Sequence, residues 1–448
     1  MNIALLTPGT GSYHCGVCMR DNALAKELIR QGHRALLLPM YLPLTLDEEA
    51  ASPGAPIFFG GVSTFLREKL PLLRHMPRWM DRMLSARWLL KLLAGRAAKT
   101  GGPAVASMTI SMLRGEEGKQ ASEIEEVIAW LRSAFDGKPP DAVWLSTALQ
   151  AGLARRIRTA LNVPVIGFLQ GEDTFLDGLG ERAPEVWTLL AERMRDADLW
   201  IAPSRYFADQ MSQRMKWTAA ETAQRIRVLP NGIAPDEPAS APPLRGDAPV
   251  IGYLARFVPG KGLGVLVEAF IAMKKRGRLP SLRLRCAGSM TADDAHYVAS
   301  LKAKLKAAGC SADAEFLPNV SRAEKAEFLR SLDVFTVPAI SSEAFGLYVI
   351  EALAAGVPVV QPKLFSFPEI VAATGGGVVY TPGVGAVENA NALAAALEEM
   401  LGDMDRARAI GRAGGDAVKR NYSMSAMATA IVQLTDGLVK GRPETTAT

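Results

Sequence analysis

Two acidic residues eight positions apart, Glu343 and Glu351, bracket the stretch Ala-Phe-Gly-Leu-Tyr-Val-Ile. The residues from Phe345 to Ala355 are apolar at helical spacing, and Gly356 stops them. A helix beginning near Gly346 puts Glu351 roughly 7–8 Å along its axis, at about 1.5 Å per residue. The N-terminus of such a helix offers unpaired N–H groups and positive dipole to an anion, and Gly346 has no side chain to hold that anion off. One elongated ligand can then meet Glu343 at one end, backbone amides in the middle and Glu351 at the other. A nucleoside diphosphate sugar has that order: sugar hydroxyls, phosphates, ribose diol. The plainer alternative is that Glu343 caps its own helix and Glu351 is a solvated acid, and spacing alone leaves both open.

A second group of residues suits the same anion. Arg256 and Lys261 bracket the turn Phe-Val-Pro-Gly between a strand, Val250–Leu254, and a helix from Leu263. Arginine grips two phosphate oxygens through paired N–H bonds and lysine adds a point charge. The turn is not a Walker loop, because G-x-x-x-x-G-K-[ST] is absent, and cationic turns are also common on plain surfaces. Earlier in the chain, Gln170-Gly-Glu172-Asp173 follows the strand Val163–Leu169. The carboxyl end of a strand is where reacting groups gather in open parallel sheets, so Gln170, Glu172 and Asp173 are candidates to face an acceptor or a sugar. His14, in the first loop, is a weaker candidate of the same kind. Cys15 and Cys18 form a C-x-x-C without a second pair at zinc spacing, and read as structural packing before metal or redox use. Asp196-Ala-Asp198 lies before its strand rather than after it, so no metal is assigned.

These residues need doubly wound elements to position them. Strand 1–8, a loop with Gly9, Gly11 and Gly16, a helix from about Asp21 to Gln31 and strand 35–39 open a β-α-β series. A proline-rich stretch after Ala234 reads as a linker, and a second series begins at Val250. Within it, Asp333–Pro338 and Val357–Val360 are strands flanking the two-carboxylate helix. The expected division is an N-terminal Rossmann-like domain over 1–235 with a basic helical insertion at about 60–135, a C-terminal one over 248–418, and a helix over 419–440 packing back on the first.

At 448 residues, 49% hydrophobic and 22% charged, the composition is that of a soluble, two-domain globular protein. No apolar run is long enough for a membrane span, and the N-terminus lacks the basic start of a signal peptide. Four cysteines make no dense framework, which points to a reducing cytoplasm. The net charge of +5 favours anionic partners. No nucleic-acid module is recognisable. Residues 65–99 carry nine basic residues against two acidic ones, with Trp79, Trp88 and several leucines and methionines between them. Such a segment either packs its apolar face on the domain or lies peripherally on an anionic inner-membrane surface.

Arg256…Lys261-Gly together with Glu343-Ala-Phe-Gly-Leu-Tyr-Val-Ile-Glu351 and the following Ala-Leu-Ala-Ala-Gly-Val-Pro-Val-Val resembles the signature of glycosyltransferase family 4. Gly32-His33, Ser204 and Pro230-Asn-Gly-Ile233 support it. The resemblance spans about residues 1–435 and implies the GT-B fold, α/β with two doubly wound Rossmann-like domains facing a central cleft. It implies retaining transfer from a UDP- or GDP-type sugar donor, with no cofactor or metal required. Glu351 would take the ribose hydroxyls and Glu343 the sugar hydroxyls, while Phe345 and Gly346 amides, Arg256 and Lys261 hold the diphosphate. Gly11 would approach it from the other domain, and Gly288 and Asn319, at further strand ends, complete the donor-binding set. Here Cys15-Gly16 stands where the family usually has Gly-Gly, and Gln170-Gly171-Glu172-Asp173 where it frequently has a histidine. A sugar-nucleotide epimerase or phosphorylase, or a non-catalytic sugar-nucleotide or membrane-binding protein, remains an alternative; the acceptor is not specified.

Overall fold

The computed structural model describes residues 1–9, 16–44, 46, 48–53, 55–58, 102–234, 246 and 248–442. Gly11, His14, Cys15 and the basic segment 65–99 lie outside the described residues. The chain divides into two compact units, Met1–Pro230 with Met427–Thr448, and Asn231–Ala426.

In the first unit, strands β1 (Asn2–Thr7), β2 (Arg34–Pro39), β3 (Ala142–Leu145), β4 (Val165–Phe168), β5 (Leu199–Ala202) and β6 (Ile226–Val228) form a parallel sheet in the order β2-β1-β3-β4-β5-β6. Strands β3, β4 and β5 are buried along their whole length. They therefore read as unbroken apolar runs rather than alternating ones, as strands covered on both faces do. Two expectations shift. The first helix begins at Gly16 rather than near Asp21, because Arg20, Asp21 and Asn22 are buried polar residues that a hydropathy pattern reads as loop. They tolerate burial by bonding inward: Asp21 accepts from the Thr7 hydroxyl at 2.8 Å and from Ser146 and Arg20. Likewise Glu172 and Asp173, expected in a loop, open a short helix, Glu172–Asp177. The chain's last helix, Met424–Lys440, is followed by Arg442, whose guanidinium sits 2.9 Å from Asp198. Asp198 also accepts the Val165 N–H.

The second unit repeats the plan with β7 (Val250–Leu254), β8 (Arg283–Gly288), β9 (Ala314–Pro318), β10 (Val334–Phe335), β11 (Val359–Pro362) and β12 (Gly377–Tyr380), in the order β12-β11-β10-β7-β8-β9. Strand β10 is two residues long where Asp333–Pro338 was expected. The Thr336 N–H still reaches the Gly252 carbonyl of β7 at 3.0 Å, but beyond it the chain leaves the ladder: Pro338 has no N–H to donate, and the Val337 N–H is taken by the Gln361 side chain at 3.2 Å. Phe257, Phe270, Phe335 and Phe367 form the heart of a core between sheet and helices. No described helix is long and apolar enough to cross a membrane.

Helix Met404–Asn421 lies against the backbone of its neighbours through glycines. A Cβ on Gly414 would stand 2.6 Å from the Gly376 Cα, and one on Gly411 2.3 Å from the Gly356 carbonyl. Main chain cannot step aside as a side-chain tip can. Gly414→Ala is therefore expected to cost about 1–3 kcal/mol, the usual penalty of overpacking. Denaturant unfolding of the two proteins would show it, and an unchanged midpoint would contradict the close packing.

Candidate functional site

In the second sheet the connections run outward from β7, to β8 and β9 on one side and to β10, β11 and β12 on the other. The loops after β7 and β10 therefore adjoin at the carboxyl end of the sheet, the switch point where such folds hold ligands. They are joined by backbone: the Gly260 carbonyl accepts the Ile340 and Ser341 N–H groups at 3.0 and 3.1 Å. Gly262, at φ +74°, runs so close to the Pro338 carbonyl that a Cβ there would lie 1.8 Å from its oxygen. The loop after β8 is tied in similarly, through Phe257 N–H to Ser289 O at 3.0 Å and through Gly288, which leaves no room for a side chain against Ala255. Asn319 bonds the Gly288 carbonyl through its N–H, and its amide both accepts from and donates to the Met290 backbone at 2.9 and 3.1 Å. Gly288 and Asn319 thus shape the site through backbone joins.

On that frame the charged groups meet. The Lys261 ammonium is 2.6 Å from Oε2 of Glu343, and the Tyr348 hydroxyl donates to the same oxygen at 2.5 Å. Tyr348 is held neutral: burial, and then the negative charge of Glu343, push its phenol well above the usual range. The Ser366 hydroxyl, fully buried, is 3.0 Å from the carbonyl of Glu343 and 2.8 Å from that of Phe345. In a trans peptide the next N–H points the opposite way, so the Gly346 N–H is turned away from Ser366. Gly346, at φ +87°, leads helix Leu347–Ala354, whose N-terminus no side chain caps. The Val349 N–H bonds the Gly346 carbonyl at 2.9 Å, and the N–H groups of Leu347 and Tyr348 ahead of it can take an anion. Further along, Glu351 pairs with Lys325 at 2.8 Å.

Arg256 does not join either carboxylate. Its half-exposed guanidinium lies 3.4 Å from both oxygens of Asp294. Burial works to raise the Asp294 carboxyl, but bonds from the Thr291 N–H and hydroxyl, with the Arg256 charge, hold it below the usual carboxylate range. The stability it contributes is complete above its unfolded pKa and is lost as pH falls through the lower folded value. Arg256 is so kept beside a charged partner.

In the first unit, Glu172 is almost fully buried, and both its oxygens are engaged by the protein itself. It accepts from the Thr147 hydroxyl at 2.7 Å and from the N–H groups of Ala148, Gln170 and Gly171 at 2.9, 2.8 and 3.1 Å. This carboxylate ties the loop after β3 to the loop after β4. Asp173 is buried in the first turn of the same short helix. Gln170, with its amide oxygen toward Arg20, accepts from that buried guanidinium, which also stacks 4.6 Å over the Phe168 ring. Four residues of the second unit's site carry little sequence signal. Tyr348 reads as one more apolar position on a core-facing helix, Lys325 and Asp294 as surface charges, and Ser366 as loop.

The profile of the glycosyl transferases group 1 family matches residues 237–416, and that of Glycosyltransferase Family 4 matches residues 115–237. Phosphatidyl-myo-inositol mannosyltransferase of Mycobacterium tuberculosis (strain ATCC 25618 / H37Rv) is 32% identical over 226 residues, 49% of this chain and 56% of that protein. The chain thus matches little more than half the length of that relative. The GDP-mannose-dependent alpha-(1-6)-phosphatidylinositol monomannoside mannosyltransferase of Mycolicibacterium smegmatis is 26% identical over 78% of this chain and 87% of its own. Among solved structures, the sucrose-phosphate synthase from Thermosynechococcus elongatus superposes with a TM-score of 0.67 at 19% identity, covering 98% of this chain and 99% of that one. Anabaena Alr3699/HepE in complex with UDP does so with 0.66 at 16% identity, covering 98% and 100%. At such identities the likeness is one of fold, here the GT-B class. With two adjoining family profiles, the sequence relatives and the doubly wound units in agreement, the chain belongs to the group 1 glycosyltransferases of family 4.

Proposed function

We propose that the protein transfers a sugar from a nucleoside diphosphate sugar to an acceptor hydroxyl, retaining the anomeric configuration and needing no metal ion. One observation carries the reading: Lys261 and Glu343 meet beside an uncapped, glycine-led helix N-terminus, with Glu351 further along the same helix. Phosphate oxygens fit the amides of that N-terminus and the Lys261 ammonium. Sugar hydroxyls fit Glu343 and the ribose diol fits Glu351. The relatives' names favour mannose carried on GDP as the donor, and a hydroxyl of an inositol-type headgroup as the acceptor.

The chemistry follows from where charge develops. Breaking the bond from the anomeric carbon to the phosphate oxygen leaves oxocarbenium-like charge on the sugar and extra negative charge on the diphosphate. Arg256, Lys261 and the helix amides stabilise that leaving group, which is the work a metal ion does elsewhere. The acceptor oxygen attacks from the face the phosphate is leaving, and its proton passes to the departing phosphate oxygen. Lys261 serves two partners in turn, Glu343 before the donor arrives and the diphosphate afterwards. Tyr348 stays on Glu343 throughout, so the carboxylate keeps its place when the lysine is drawn away.

Incubation of the full chain with GDP-mannose and a phosphatidylinositol acceptor is expected to yield an α-mannoside, read from its anomeric coupling by NMR. The yield should be unaffected by a chelator, and donor incubated alone should be recovered unchanged. An inverted product, or strict dependence on added divalent cation, would overturn the mechanism. Lys261→Ala and Glu351→Ala should each lower kcat/KM at least about tenfold, the loss of a charge-assisted contact of roughly 1.5–3 kcal/mol; near-normal kinetics in both would refute these roles. Tyr348→Phe should lower kcat about fivefold, one hydrogen bond of ~1 kcal/mol, while nucleoside diphosphate affinity stays put. A rise in the dissociation constant with kcat unchanged would assign Tyr348 to donor binding instead.

A further inference from the structure

Lys325 has no part in the transfer chemistry, yet its ammonium lies 2.8 Å from Oε1 of Glu351, across 26 residues of chain. The two side chains are only 20% and 25% exposed. The helix that carries Lys325, Arg322–Arg330, starts in a capping box: Ser321 N–H bonds Glu324 at 2.7 Å and Glu324 N–H bonds the Ser321 hydroxyl at 3.3 Å. The loop before it is pinned by Asn319 to Gly288 and Met290. The root of this lysine is therefore fixed at the same end of the sheet as Arg256 and Lys261. No described group donates to the other oxygen of Glu351.

We propose that Lys325 is a positioning residue for ribose recognition, holding Glu351 by Oε1 so that Oε2 is presented to the ribose diol. The inference rests on the ribose role given to Glu351 above. One physical effect supports it. A glutamate side chain loses several torsional freedoms when it binds a hydroxyl, and a carboxylate already fixed has little left to lose. A partly exposed ion pair with no such duty contributes little to the protein, and what it did contribute would not distinguish one nucleotide sugar ring from another.

That difference sets the experiment, which is calorimetric titration of the full chain with GDP and 2′-deoxy-GDP, with UDP and 2′-deoxy-UDP in parallel. The wild type should prefer the ribonucleotide by about tenfold, as a hydroxyl bonded to a charged group predicts. Lys325→Met should shrink that preference at least about threefold by weakening the ribonucleotide, the deoxy form moving less than about twofold. Lys325→Arg should restore it, and Lys325→Gln should repeat the Met result and decide the matter if the Met variant fails to fold. Equal weakening of both nucleotides, or an unchanged ratio, overturns the proposal. Glu351→Gln separates the two layers. If its ribose preference is intact, or the wild type binds none of the four nucleotides, the role of Glu351 itself falls. If the preference is lost there but kept in Lys325→Met, only the role of Lys325 falls.

Discussion

The bond between the Lys261 ammonium and the Glu343 carboxylate joins the loop after β7 to the loop after β10, and the site is organised around it. Two opposite charges brought to 2.6 Å in a partly buried setting are worth more to each other than to water only if the backbone brings them there. The backbone does so by direct joins, Gly260 accepting from Ile340 and Ser341, and Gly262 pressed on Pro338. Residues with any Cβ at position 262 would push those loops apart, and the lysine would lose its carboxylate along with its approach to an anion.

The same economy of groups recurs around the pair. Each charged residue of the second unit's site has a protein partner: Lys261 with Glu343, Glu351 with Lys325, Arg256 with Asp294. With such pairing, an anion binding here would exchange partners with these groups rather than desolvate them afresh. What must not move is held by neutral donors, Tyr348 on the Glu343 carboxylate and Ser366 on its loop. Neutral hydroxyls suit that task, because a change in the surrounding charge pulls on them far less than on an ammonium.

Glu172 illustrates the opposite use of a carboxylate. It sits at the end of a parallel strand, where a reacting acid is expected, but accepts four bonds from the loops around it. An acid with both oxygens engaged in this way is an architectural element of the first unit. Its placement leaves Gln170, beside the buried Arg20, as the polar group on that strand end with an amide still to offer.

By itself the sequence determined the two doubly wound units, the parallel strands and the residues bearing charge at their carboxyl ends. These are local properties: unbroken apolar runs, glycines where the chain turns, and two carboxylates at a set spacing, one just before a helix and one within it. The start of the helix after Gly346 and its reach to Glu351 were likewise legible, since helix geometry is the same everywhere. Strand β10, shorter than its apolar letters, and the first helix, longer than its polar ones, were not, because in each the partner that satisfies the backbone or buries the polar group lies far along the chain. Tertiary structure alone decided that Tyr348 turns its hydroxyl to Glu343, that Lys325 reaches Glu351 and that Glu172 looks inward. A side chain's partner is set by which distant elements the sheet order places beside it, and one-dimensional spacing holds no record of that.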